Sequence, residues 1–220
     1  MARRDVHHGD GLAWLREAEL GPEHAIVTSL PDVSELGMPF SDWRRWFLGA
    51  AELVLGRLDE RGVAIFYQTD IKHAGLWIDK GFLVQTAAER VQSGLLFHKL
   101  VCRVPAGTTT FGRPAYAHLL AFSRGLRISP GQSSPDVLPA LGTMTWSRAM
   151  GSRACEASCE FLLAHTACRV VVDPFCGRGT ILAAANAYDM DAIGVETSKK
   201  RVELARHMAW REPSRSRLTS

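Results

Sequence analysis

Val170-Val171-Val172-Asp173-Pro174-Phe175-Cys176-Gly177-Arg178-Gly179-Thr180 decides how this chain is read. The β-branched run reads as a buried strand, Arg169 to Asp173, and a helix follows from about Gly179 to Tyr188. A strand that ends in a glycine-rich turn and opens a helix brings backbone amides to a ligand at the carboxyl edge of a sheet. Gly177 and Gly179 lack a Cβ and allow that ligand a close approach. Seventeen residues beyond Gly179, Glu196 ends the next strand, Ala192-Ile193-Gly194-Val195-Glu196. Its carboxylate is placed to accept hydrogen bonds from ribose hydroxyls. A glycine turn alone also reads as a tight turn, and a lone terminal acid as a solvated strand end. The specificity lies in the combination.

Outward from this segment, strand and helix signals alternate. Gly151 to His165 reads as the helix before the turn, and Ser198 caps a helix running to about Trp210. Near the start, Asp5 to His8 reads as a short strand, then Gly9-Asp10-Gly11 and a helix from Leu12 to Leu20. Ala25-Ile26-Val27-Thr28 is a second strand, ending in Ser29-Leu30-Pro31-Asp32. Ser41 is placed to cap a long helix whose apolar face carries Trp43, Trp46, Phe47, Ala50, Leu53, Val54 and Leu58. That stripe reads as a core face rather than a binding surface. Val63 to Tyr67 is a buried strand, and Ile71 to Lys80 reads as helical. Leu95 to Val104 and Ala115 to Phe122 read as an antiparallel pair at one edge of the sheet.

The pattern predicts a doubly wound α/β fold with a mostly parallel sheet and an antiparallel edge strand. It fits one domain over 1–210: a catalytic half at 1–125, a Pro/Ser/Gly-rich linker at 126–142, a donor-binding half at 143–210, and a flexible tail at 211–220. The 220 residues are 46% hydrophobic and 22% charged, which excludes a largely disordered chain. A net charge of +3 permits nucleic acid as a partner without demanding it. Cys102, Cys155, Cys159, Cys168 and Cys176 include no pair at metal or redox spacing. They read as reduced thiols of a cytosolic protein, with no metal site. No signal peptide and no bilayer-spanning segment is legible.

The turn and the acid beyond it resemble the methyltransferase family that includes the amino-methylating enzymes of DNA and RNA. The resemblance implies S-adenosylmethionine as cofactor, with Asp173, Phe175, Gly177 and Gly179 on its methionine side. Pro174 and Thr180 belong to the same binding turn, and Glu196 lies on the ribose. The glycine spacing differs from that of nicotinamide-binding folds. Because the donor turn comes late, the chain resembles the circularly permuted, β-type order of DNA amino-methyltransferases. That order assigns Asp10 to the adenine end of the cofactor and Ser29, Pro31 and Asp32 to catalysis. The family pattern there is a polar residue, two prolines and an aromatic. Leu30 replaces the first proline and Asp32 the aromatic, so stacking is lost and a carboxylate gained. Asp32 is read as orienting the substrate or taking a proton, or as a turn former. Phe40, Trp43 and Trp146 are the alternative aromatic walls.

DNA enzymes of this order carry a large target-recognition segment where this chain has only Leu126 to Gly142. Arg124, Arg127, Arg148 and Arg153 flank it, as phosphate contacts or as plain surface. A shape-read RNA such as tRNA is therefore expected ahead of DNA, with a homodimer or partner subunit supplying further surface. The competing readings are a small-molecule or protein methyltransferase and a non-catalytic partner subunit that keeps the fold.

Overall fold

The apolar runs of the sequence become strands of one sheet in a computed structural model, which describes residues 2–210. The expected tail at 211–220 lies outside the described residues. In chain order the elements begin with β1 (Arg4–His8), α1 (Gly11–Glu17), β2 (His24–Thr28), α2 (Val33–Leu36), α3 (Phe40–Gly56) and β3 (Ala64–Gln68). There follow β4 (Ile71–His73), β5 (Leu76–Ile78), α4 (Lys80–Arg90), β6 (Gly94–Cys102), β7 (Tyr116–Ser123) and β8 (Val137–Leu138). The chain closes with α5 (Ser152–His165), β9 (Val170–Asp173), α6 (Thr180–Ala187), β10 (Asp191–Glu196) and α7 (Lys199–His207).

The main sheet has eight strands in the order β1-β10-β9-β2-β3-β7-β6-β8. The first five are parallel, and β7 runs antiparallel to both β3 and β6. The expected antiparallel pair is thus present, with β6 and β8 lying outside β7. Alternation along each strand divides the core in two. Ala25 and Val27 pack with α5, α6 and α7 on one face, whereas Ile26 packs with α1, α3 and α4 on the other. Helices on both faces of a mostly parallel sheet make the Rossmann-like, doubly wound arrangement. From β9 the chain winds outward to β10, and from β2 to β3 on the other side. The two directions part between β9 and β2.

Three local expectations are corrected. Ile71 to Lys80 is not helical: β4 and β5 form a separate hairpin in which His73 pairs with Leu76. Ala74 (φ 48°) and Gly75 (φ 80°) both take the left-handed conformation that a two-residue hairpin turn requires. The helix begins only after Asp79, whose carboxylate accepts the Phe82 N–H at 2.8 Å. Ser41 does not cap the long helix; α3 starts at Phe40, after Pro39, whose fixed φ of −55° leads into it. The segment 126–142 holds a short 3-10 turn (Pro130–Gln132) and β8, which extends the edge of β6 in parallel. Lys99 Nζ ties it down by donating to the carbonyls of Ser134 and Pro135 at 3.0 and 2.9 Å.

Candidate active site

Because β1, β10, β9, β2 and β3 are parallel, their carboxyl ends share one edge, and His8, Glu196, Asp173, Thr28 and Gln68 stand along it. The loops leaving this edge line a cleft where the winding reverses, the place where an open α/β sheet holds its ligand. Its wall contains Asp10, Asp173, Pro174, Phe175, Gly177, Thr180, Glu196, Ser29 and Pro31 together. Gly179 is not in the wall and works from behind it.

Thr28 Oγ1 donates to Asp173 Oδ1 at 2.7 Å, joining the ends of β2 and β9. The Phe175 N–H donates to the same oxygen at 3.0 Å and folds the turn back on its own strand. Asp173 Oδ2 accepts no hydrogen bond among the described residues. Burial raises the Asp173 carboxyl to about 7 against the lowering effect of both hydrogen bonds, and the Glu196 charge pushes it the same way. Gly177 (φ 55°) and Gly179 (φ 80°) take left-handed conformations. A Cβ on Gly179 would stand 2.9 Å from Ala205 Cβ, so this glycine lets α7 close against the turn. A Cβ on Gly11 would meet the Pro174 carbonyl oxygen at 1.9 Å, so α1 packs its first residue directly on the turn.

Glu196 is buried and uses one oxygen in the same manner. Its Oε1 accepts the Ser198 N–H at 2.8 Å and the Thr197 hydroxyl at 3.2 Å, and Arg201 lies 3.6 Å away. Asp10 is exposed and caps α1 by accepting the Ala13 N–H at 2.7 Å, so the cap and the cleft-lining position coexist. Cys176 lines the cleft, but burial beside Asp173 and Glu196 raises its thiol, so it is a packing group rather than a nucleophile. Burial likewise raises the thiols of Cys155, Cys159 and Cys168.

On the opposite wall, the Pro31 carbonyl accepts Trp43 Nε1 at 3.1 Å, which holds the loop after β2 against α3. Leu30, in place of a proline, buries its side chain in the core beneath α1 and α3. Asp32 points elsewhere. It lines a second cleft, which adjoins the first through Ser29, Leu30, Glu35, Arg148 and Ala149. There its carboxylate pairs with Lys80, whose side chain is 4% exposed. Arg148 donates to Glu35 at 3.0 Å and so bridges the segment before α5 to α2 beside the line where the clefts meet.

Several wall residues did not stand out in the sequence. Trp46, assigned to the core stripe, lines the first cleft and meets the Phe175 ring edge-on at 5.9 Å. Trp146, one of the candidate aromatic walls, lines it too, with the Arg178 and Arg201 guanidinium groups 5.2 and 5.7 Å from its ring. The other two candidates do not: Trp43 is core, and Phe40 stacks on His73 at 4.0 Å. The arginines flanking 126–142 are exposed, and each is engaged by a neighbouring group of the protein. Arg124 donates to the Leu58 carbonyl, Arg127 to those of Arg124 and Leu126, and Arg153 pairs with Glu156.

A family model described as DNA methylase matches residues 162–207, which hold the turn and Glu196. TTHA0409 from Thermus thermophilus, a candidate DNA modification methylase, shares the fold. Its complex with S-adenosyl-L-methionine aligns with a TM-score of 0.70 at 19% identity, covering 93% of each chain. The cytosine-N4-specific PvuII DNA methyltransferase aligns with a TM-score of 0.67 at 15% identity, covering 94% of this chain and 87% of that one. The M1.HpyAVI–SAM complex gives 0.60 at 15% identity, covering 92% and 97%. No curated protein sequence matches the chain. The expected preference for RNA, tRNA included, is corrected by these matches, because the family model is described as DNA methylase. The preference rested on a missing insert, and a short insert does not distinguish a DNA duplex from a structured RNA. The fold is the Rossmann-like one found in S-adenosylmethionine-dependent DNA methyltransferases, and the donor turn lies in the part that matches the DNA methylase family.

Proposed function

We propose that this chain is an S-adenosylmethionine-dependent methyltransferase that methylates an amino group of a base in DNA. The observation that carries the reading is the shared cleft. The turn from Asp173 to Thr180 and the loop holding Ser29 and Pro31 come from opposite ends of the sequence and face each other across it. The late position of the donor turn supports a circularly permuted order of this fold.

In this reading Asp173 and Phe175 hold the methionine end of the cofactor, with the backbone freed by Gly177 and Gly179 and with Pro174 and Thr180 completing the turn. Glu196 takes the ribose through the oxygen its own loop leaves unused, and Asp10 lies toward the adenine. The cofactor supplies a sulfonium-activated methyl group, so the protein needs to align a nucleophile rather than create one. Ser29 Oγ accepts a hydrogen bond from the target amino group and orients its lone pair. Pro31 fixes the loop that presents Ser29, and Asp32, paired with Lys80, sets the polarity of the acceptor side.

Incubation with methyl-tritiated cofactor and duplex DNA tests this. Label is expected in an amino-methylated base, identified by mass spectrometry of the released nucleosides. Ser29→Ala is expected to lower kcat by about two orders of magnitude, the scale for removing one aligned polar group from a reacting centre. Absence of label from DNA overturns the reading.

A further inference from the structure

We infer that the β4–β5 hairpin and the loop from Arg103 to Ala115 together grip duplex DNA at the mouth of the second cleft. The hairpin acts as an apolar wedge and the loop as a phosphate clamp. The inference rests on the DNA-methyltransferase reading above and names the surface that serves it.

Both segments reach the same place. Ile71 and Lys72 of the hairpin and Arg103 and Arg113 of the loop line the second cleft, together with Ser29. The hairpin is anchored along β4: Ile71, at its root, packs on the core under α3, and His73, next to the turn, stacks on Phe40 at 4.0 Å with the rings 10° apart. Toward the tip, β5 is not covered. Leu76 is 70% exposed and Trp77 49%, and on the loop Phe111 is 91% exposed. Ala74 holds a left-handed φ of 48° at the turn, so the tip is presented on a tight and definite bend. Large apolar groups left in water on an anchored projection contribute little to folding and mark a contact surface.

Charge decides the occupant. Asp32, Glu35 and Asp70 line this cleft, and they are engaged by Lys80, Arg148 and His118. Lys72, Arg103 and Arg113 have no carboxylate partner among the described residues, and Lys72 Nζ sits 4.8 Å from the centre of the Trp77 ring. The mouth therefore presents surplus positive charge beside exposed apolar side chains. Cations on phosphates with an apolar wedge at a base step are how proteins grip and open a duplex. A deforming wedge also lowers the cost of bringing a base out of the stack toward the donor.

The test uses the full chain, saturated with cofactor, and a mixed-sequence DNA duplex titrated over a range of salt. Lys72→Gln and Arg113→Gln are each expected to reduce the slope of log affinity against log salt by about one, since each removes one phosphate contact. Leu76→Ser with Trp77→Ala is expected to weaken binding about tenfold and leave the slope unchanged, as loss of a wedge should. None of these side chains lines the donor cleft, so cofactor affinity stays at the wild-type value in all of them. Variants that bind duplex with wild-type affinity and slope, while the wild-type chain methylates DNA, overturn this inference alone. A wild-type chain that neither binds nor methylates DNA overturns the proposed function and this inference with it.

Discussion

Asp173 is the buried carboxyl of the first cleft, held by Thr28 and the Phe175 N–H. Its carboxyl lies near 7 because burial penalises the charge more than Thr28 and Phe175 relieve it. The unfolded chain restores the ordinary value of 3.8, so the folded state binds the extra proton between those values. The stability from this group is fully present below 3.8 and is lost as pH rises through about 7. A cationic group docked against Oδ2, such as the ammonium of the proposed cofactor, favours the ionised form and expels the proton. Cofactor affinity is therefore expected to rise with pH up to about 7 and flatten above it. Calorimetry in buffers of different ionisation enthalpy should register proton release on binding below that pH. Asp173→Asn should bind more weakly and show no such dependence; an equally steep pH profile in that variant refutes the assignment. Asp173 and Glu196 were legible because their meaning lies in local spacing along strand, turn and strand. Trp46 and Lys80 were not, because they reach the clefts through the way helices cross the sheet.

At the scale of elements, α2 and α4 are held together by the pair between Asp32, at the start of α2, and Lys80, the first residue of α4. Lys80 is buried, so removing its partner leaves an uncompensated cation. Asp32→Ala is expected to cost about 3 kcal/mol, whereas Lys80→Met, which removes the charge and keeps the volume, should change stability by about 1 kcal/mol or less. Chemical denaturation measures both, and equal losses in the two variants would contradict the picture. This pair also shows why the catalytic motif was hard to interpret. Pro31-Asp32 reads as a turn former in sequence, and its charge partner lies 48 residues away. The hairpin was misread for a related reason: Ala74-Gly75 carries a turn signal in its glycine, but Leu76-Trp77-Ile78 carries no alternation of buried and exposed residues to declare a strand.

At the scale of the molecule, the strands of the two sequence halves interleave. β9, from the donor half, lies between β10 and β2, and β2 and β3 continue the sheet from the first half. β9 and β10 bridge β1 to β2, so without them β1 is cut off from the sheet, and without the first half they are left as a two-strand fragment. Denaturation is therefore expected as one cooperative transition, with tryptophan fluorescence and far-ultraviolet circular dichroism coinciding. Trp43 in the core and Trp46 and Trp146 at the cleft sample both halves. Separate transitions by the two probes would show that the halves fold independently. The mostly parallel, doubly wound sheet was legible, because βαβ alternation admits few arrangements. The edge strand β8 was not, since its two residues lie in a stretch whose composition reads as linker.

The pairing of β1 with β10, and with no other strand, has a consequence for how the protein is made. β1 is made before β10 and finds its neighbour only when β10 has emerged. Until then β1 waits unpaired, separated from β2 by the places that β10 and β9 will fill. Each nascent chain thus passes through an interval as an open-edged intermediate, and closure of the sheet and completion of the cleft arrive together once β9 and β10 have been made.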